Sequence, residues 1–100
     1  MQELANLMVL KHFKQLKYDG YELETMYDVN SEYHEEAMED VKDNAIEDVK
    51  EVLLSMLHNQ LDNSSVSNFL YDIVSKNAYN ESEKLVDNAI IWIESNYCNL

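Results

Sequence analysis

Leu4, Leu7, Met8, Phe13 and Leu16 recur at steps of mostly three and four residues, with Lys11, Lys14 and Lys17 set between them. Side chains three and four apart share one face of an α-helix, so this spacing predicts an amphipathic helix over about 2–17, ended by Gly20. Residues 18–30 keep no period and read as a structured connection with room for one short helical turn; an isolated hairpin around Gly20 is the alternative. Asn30 or Ser31 can cap a second, long helix, in which Ala37, Met38, Val41, Ala45, Val49, Val52, Met56 and Leu57 follow the helical period. Asp62, Asn63, Ser64 and Ser65 form a turn and cap, and Val66, Phe69, Leu70, Ile73 and Val74 then make the apolar side of a third helix closed by Asn77 or Asn80. Asn80 with Glu83 three residues later has the form of a capping box, opening a fourth helix carried by Leu85, Val86, Ala89, Ile90, Trp92 and Ile93 and ending near Tyr97. No alternation of period two lasts for a full strand. The predicted fold is all-α, a compact bundle of about four helices with one long acidic helix, in a single domain over 1–100.

Composition narrows the function. One Gly and no Pro in a chain that is 46% hydrophobic exclude collagen-like and Pro-rich linker classes. Twenty acids against seven Lys, with no Arg, leave a net charge of −13, which excludes a nucleic-acid-binding surface and predicts a basic partner. The lone Cys98 cannot form an internal disulfide, so a reducing compartment, the cytoplasm, is expected. The apolar run Leu4 to Leu10 is too short to span a membrane and follows Glu3 where a signal peptide would carry Lys or Arg, so neither membrane nor targeting is expected. Asp43-Asn44-Ala45-Ile46 recurs as Asp87-Asn88-Ala89-Ile90, but the flanks disagree, and a repeat architecture would need about three units or more.

The charge is concentrated. Net charge is +2 over residues 1–18, −11 over 19–51 and −4 over 52–100. Glu32, Glu35, Glu36, Glu39, Asp40, Asp43, Glu47, Asp48 and Glu51 fall on the long helix, eight of them on a broad arc opposite the apolar stripe and Asp48 nearer its edge. A helix selected only for solubility would interleave Lys four residues apart. Here acid meets acid at six i,i+4 and four i,i+3 spacings, which together cost about 2–5 kcal/mol before screening. The macrodipole offsets this only in the first turn, and the Glu39–Lys42 and Glu47–Lys50 spacings relieve a little. At ~1.5 Å rise per residue the acids average about one per 3.3 Å, close to the ~3.4 Å between phosphates of a DNA strand. Such a face can stand in for a polyanion in a groove lined by Lys and Arg, with a plain solvated face as the bland alternative. Tyr18, Tyr21, Tyr27 and Tyr33 lie among acids in the connection and helix start; Tyr27 and Tyr33 join the acids as candidate contacts, since Tyr can stack on Arg, unless the rings simply cover the core.

No reaction chemistry is legible, and no cofactor or enzymatic activity is expected. His34, Glu35 and Glu36 lack a second His at position 38, which is Met, so the two-His zinc helix fails. None of the three His follows an acid by three residues, which removes a di-metal bundle site. Asp28, Asn30, Glu32 and Glu39 occupy positions 1, 3, 5 and 12 of a calcium loop, but Tyr33 stands where the turn requires Gly. With one Gly there is no phosphate-cradling loop, and Ser64, Ser65, Ser67 and Cys98 have no base beside them. Ala89 to Ile93 is apolar on all sides of a turn, which implies a central helix or a subunit contact, so a homodimer is an open arrangement.

A small helical chain with a one-sign acidic face resembles the Ocr-type antirestriction proteins of phages, which mimic duplex DNA. Asp43-Asn44-Ala45-Ile46, followed by Ser55-Met56 and Leu61-Asp62, is similar to the central acidic helix of that group and covers roughly a fifth of the chain. The sequence departs from the group in its nearly balanced second half and in having no acidic C-terminal tail. The resemblance implies a non-enzymatic phage inhibitor, of the class that includes antirestriction and anti-CRISPR proteins, that occupies the nucleic-acid-binding surface of a defence nuclease in the host cytoplasm. The carboxylates named above would be its contact set. The same charge suits an immunity or antitoxin protein that neutralises a cognate toxin, and the Ile90 to Ile93 turn suits a structural helical protein that assembles.

Overall fold

A computed structural model describes residues 1–60 and 68–98, with side chains outside 57–60 and 68–74. It is all-α, with helices α1 (Gln2–Gln15), α2 (Leu23–Tyr27), α3 (His34–Gln60) and α4 (Asn68–Tyr97), and no strand among the described residues. The count agrees with the periodicity, but the four helices are not the four predicted. The expected connection holds the short α2, and the expected third and fourth helices are one continuous α4.

The reason lies in α4's buried stripe. Ala78, Ser82, Val86, Ala89 and Ile93 are buried at successive steps of four, four, three and four, which carries the core face straight through the predicted break. Ser82 is fully enclosed, and its hydroxyl donates to the Ala78 carbonyl at 2.6 Å, so the buried oxygen is satisfied inside the helix. Asn77 and Asn80 are exposed helix-interior residues and cap nothing. The predicted turn Asp62 to Ser65 and Val66 lie outside the described residues, as do the side chains of Leu57, Phe69, Leu70, Ile73 and Val74.

In α1 the core face is Ala5, Val9 and Phe13, continued by Leu16, whereas Leu7 points outward at 62% exposure and Leu4 and Met8 are half-buried. The chain turns after α1 at Gly20, whose φ of +98° is left-handed, and the Tyr21 N–H donates to the Leu16 carbonyl at 3.1 Å. That is the six-to-one bond of a Schellman ending, so Gly20 stops the helix with a turn and not a hairpin. A Cβ on Gly20 would meet nothing within 4 Å. Gly20→Ala is therefore a test of backbone strain alone, expected to cost about 1–2 kcal/mol as a lowered urea midpoint with unchanged slope.

α4 packs against both α1 and α3, α1 against α3, and α2 against α3. One core joins them, centred on Phe13, Leu16, Met26, Val41, Val49, Val86 and Ile93. Fully buried Ala5, Ala37, Ala45 and Ala89 are small enough to let neighbouring helices approach closely. Of the apolar turn at the end of α4, Ile93 is core, Ile90 and Trp92 are partly covered, and Ile91 is 65% exposed. That turn is therefore part core and part surface.

On α3, Ala37, Met38, Val41, Ala45 and Val49 are buried as predicted, Val52 is half-buried and Met56 is exposed. Ile46 adds to the core beyond that list. The helix begins at His34, so Asn30 and Ser31 do not cap it by side chain; the Ser31 carbonyl accepts the His34 N–H at 3.1 Å instead.

Candidate protein-interaction face on the acidic helix

The buried stripe of α3 fixes where its carboxylates go. At ~100° per residue, Glu35, Glu36, Glu39, Asp40, Asp43, Glu47 and Glu51 occupy an arc of about 160°, and every one of them is exposed. Asp48 stands apart at the edge towards α1, half-buried between Lys11 Nζ at 3.6 Å and His12 Nε2 at 2.6 Å. It ties two helices together and is committed inside the fold. Glu32 is exposed but lies in the turn before the helix, not on it.

Removing Glu32 from the helix leaves five i,i+4 and three i,i+3 acid pairs, a cost of about 1.5–4 kcal/mol before screening. Glu35 and Glu36, in the first turn, gain from the macrodipole. Glu47 pairs with Lys50 at 3.5 Å as expected. Lys42 does not pair with Glu39; it reaches across to Asp87 on α4 at 3.1 Å, which pushes the ammonium pKa up. Among the described residues no ion pair engages Glu35, Glu36, Glu39, Asp40, Asp43 or Glu51.

The tyrosines divide. Tyr33 is 55% exposed at the start of α3, beside Glu36 and the Tyr21–Glu22 pair of the connection. Tyr27 is also exposed at one edge, but its ring meets Phe13 edge-on at 5.5 Å and so covers the core. Tyr18 is exposed under the Lys17 ammonium at 4.9 Å. Tyr21 packs on the core and its hydroxyl donates to Asp40, which with partial burial pushes the phenol up to about 12.

The other border of the face is a cavity of about 410 Å³ between the start of α3 and α4, lined in part by Glu35, Glu39, Asp87 and Glu94. Buried His34 is among its lining residues, a position that the sequence offers only as a failed zinc ligand. The signal was present: residues 34, 37, 38 and 41 share the apolar phase, which places His34 on the buried side. Asp87 and Glu94 carried no such signal, because they reach the site from another helix.

No group of three or more His, Cys, Asp or Glu among the described residues is arranged to hold a metal ion. Asp28, the first residue of the calcium-loop pattern, accepts the Asn30 N–H at 2.9 Å in a local turn. Cys98 is buried with Sγ 3.4 Å from the Met26 carbonyl, and burial, then the charge of Glu94, pushes the thiol up to about 11, so it is no nucleophile near neutral pH. No helix among the described residues is long and apolar enough to cross a membrane. Set against protein-family models, curated proteins and solved structures, the chain matches none.

Proposed function

We propose that this chain is a non-enzymatic inhibitor whose acidic α3 face docks in the basic nucleic-acid-binding cleft of a defence nuclease in the host cytoplasm, in the manner of antirestriction and anti-CRISPR proteins. The observation that carries this reading is the set of seven exposed carboxylates on one side of a single helix, of which, among the described residues, only Glu47 is neutralised by a neighbouring Lys. Their mutual repulsion lowers stability in the isolated chain and is relieved when cations of a partner replace water along the face. Glu32 and Tyr33 extend the contact beyond the helix start, and Tyr27 borders it, whereas Asp48 contributes field and not contact. Long-range attraction also speeds encounter with a basic target.

The test is capture of host proteins on the immobilised chain at low salt, followed by elution with a duplex oligonucleotide. Release of a basic nucleic-acid-binding protein by the oligonucleotide is the expected result; retained proteins that neither oligonucleotide nor salt displaces would contradict the reading. An immunity or antitoxin protein would use the same charge on one cognate toxin, and recovery of a toxin in that eluate would decide for it. Assembly into a homodimer is a second reading, carried by the exposed Ile91. A dimer that persists at high salt in sedimentation equilibrium would favour it.

A further inference from the structure

His34 opens α3 from inside the protein. It is 4% exposed, its Nδ1 donates to the Thr25 carbonyl of α2 at 2.8 Å, and its Nε2 is buried with no hydrogen-bond partner among the described residues. A carbonyl only accepts, so the proton of the neutral ring sits on Nδ1 and Nε2 is a bare acceptor. A second proton, taken up at Nε2, would make a buried donor with nothing to donate to. It would also put a full positive charge at the first residue of α3, the positive end of that helix's macrodipole. The seat therefore suits only the neutral ring.

The surrounding charges do not accommodate a protonated ring in place. Glu32 of the preceding turn, Glu35, Glu39 and Lys42 of α3, and Asp87 and Glu94 of α4 line the open hollow that His34 borders. Asp87 is taken by Lys42 at 3.1 Å. α2 meets the ring through a backbone carbonyl, and its titratable side chains, Glu24 and Tyr27, are exposed. The carboxylates attract a positive charge, yet none of them accepts a hydrogen bond from the sealed Nε2. A charged ring finds acceptors only by leaving its seat for the hollow, and that breaks the bond to Thr25.

α2 is the element that depends on this bond. Its five residues are too few to stand as a helix alone, and no side chain caps its start. Met26 in the core, the Tyr27 ring against Phe13 and the Cys98 thiol on the Met26 carbonyl also hold it. A short segment held at a few points is the kind that opens while the rest of a fold stays closed.

The geometry points to the His34–Thr25 bond as an acid-sensitive latch, which holds α2 against the start of α3 while the imidazole is neutral and lets it go when Nε2 takes a proton. Glu32 and Tyr33 stand in the turn between the two helices, so release redraws the end of the acidic face that they form. The latch belongs to this chain alone and stands or falls whatever partner that face takes. The docked form binds one proton fewer than the released form, so falling pH favours release and rising pH favours docking. One proton exchanged means about tenfold more released form for each unit fall in pH while the docked ring stays neutral.

NMR of the full chain from about pH 8 to pH 5, the range in which histidine acts as a switch, tests it. The His34 Cε1 resonance and the amides of residues 23–27 are expected to move with one common midpoint. Solvent exchange of those amides, corrected for its intrinsic rate, should speed up about tenfold per unit fall in pH, with the circular dichroism of the long helices unchanged. His34→Asn is the matched control, because its amide NH2 can donate to the Thr25 carbonyl as Nδ1 does and does not titrate. His12 and His58 remain in that chain, so a response that belongs to either persists there. In the control α2 should stay docked over the whole range. A His34 ring that gains its proton with amides 23–27 unmoved would overturn the latch, as would α2 protected down to pH 5 or released at the same pH in the control. Should the control fail to fold, the ring and amide midpoints of the unaltered chain decide alone.

Discussion

A chain carrying Glu36→Lys, Asp43→Lys, Glu47→Lys and Glu51→Lys is expected to lose partner binding altogether while remaining helical. All four carboxylates are exposed on the α3 arc, and each replacement adds two positive charges, so the net charge moves from −13 to −5. Each change removes an attraction of about 1 kcal/mol at a wet interface and creates a repulsion of similar size, so four together weaken binding about a thousandfold or more. Asp40 is left in place because it accepts the Tyr21 hydroxyl, and Asp48 because it holds Lys11 and His12 of α1. The fold should tolerate the exchange. The new ammonium at position 36 would face Asp40, the one at 43 Glu39 and the one at 51 Asp48 at helical spacing; positions 43, 47 and 51 otherwise exchange one like-charged row for another, and Glu47→Lys gives up the exposed Glu47–Lys50 pair at 3.5 Å, a small loss. Titration of the captured partner by calorimetry, with circular dichroism of each variant, checks both halves. Undiminished binding would mean that the carboxylates serve solubility.

The second large effect concerns α4. Glu81→Pro is expected to destabilise the chain by about 3 kcal/mol, a large share of the ~5–15 kcal/mol that a domain of this size retains. If Asn80 capped a new helix, position 81 would be its first residue, where Pro is favoured and the cost would be near zero. In the continuous helix the ring removes the backbone bond to Asn77 and clashes with that carbonyl, and the exposed Glu81–Lys84 pair at 3.6 Å contributes little by comparison. Urea unfolding separates the two cases directly, since a shift of this size moves the midpoint by one unit of molarity or more at a typical slope of ~1–3 kcal/mol/M.

These two sites also show what the amino-acid order reveals and what it hides. The acidic arc was legible because α3 has a single well-separated apolar stripe, Ala37 to Val49, and exposure of the acids follows from its phase. α1 was legible as a helix, with Phe13 and Leu16 on its core face, but its first half was not in phase: Leu4, Ala5, Leu7, Met8, Val9 and Leu10 are apolar all round, and close packing selected the small Ala5 and Val9 over Leu7. In α4 a polar stretch read as a break because Ala78 and Ser82, which carry the core through it, are not large apolar residues. Contacts between elements lay furthest from view. Lys42 has Glu39 one turn back along its own helix, yet bonds Asp87 across the bundle, and Glu94 joins the cavity from the same distant segment. Local spacing names candidates for such pairs, and only the packing of α3 on α4 chooses between them.

That the α3 carboxylates act as a polyanion towards a cationic cleft is tested most directly by the salt dependence of affinity for the captured partner. Electrostatic docking predicts a dissociation constant that rises at least about a hundredfold as ionic strength goes from about 0.05 to 0.5 M, with competition by the partner's own nucleic acid at every salt. An affinity that stays level across that range, in a complex that still admits the nucleic acid, would contradict it.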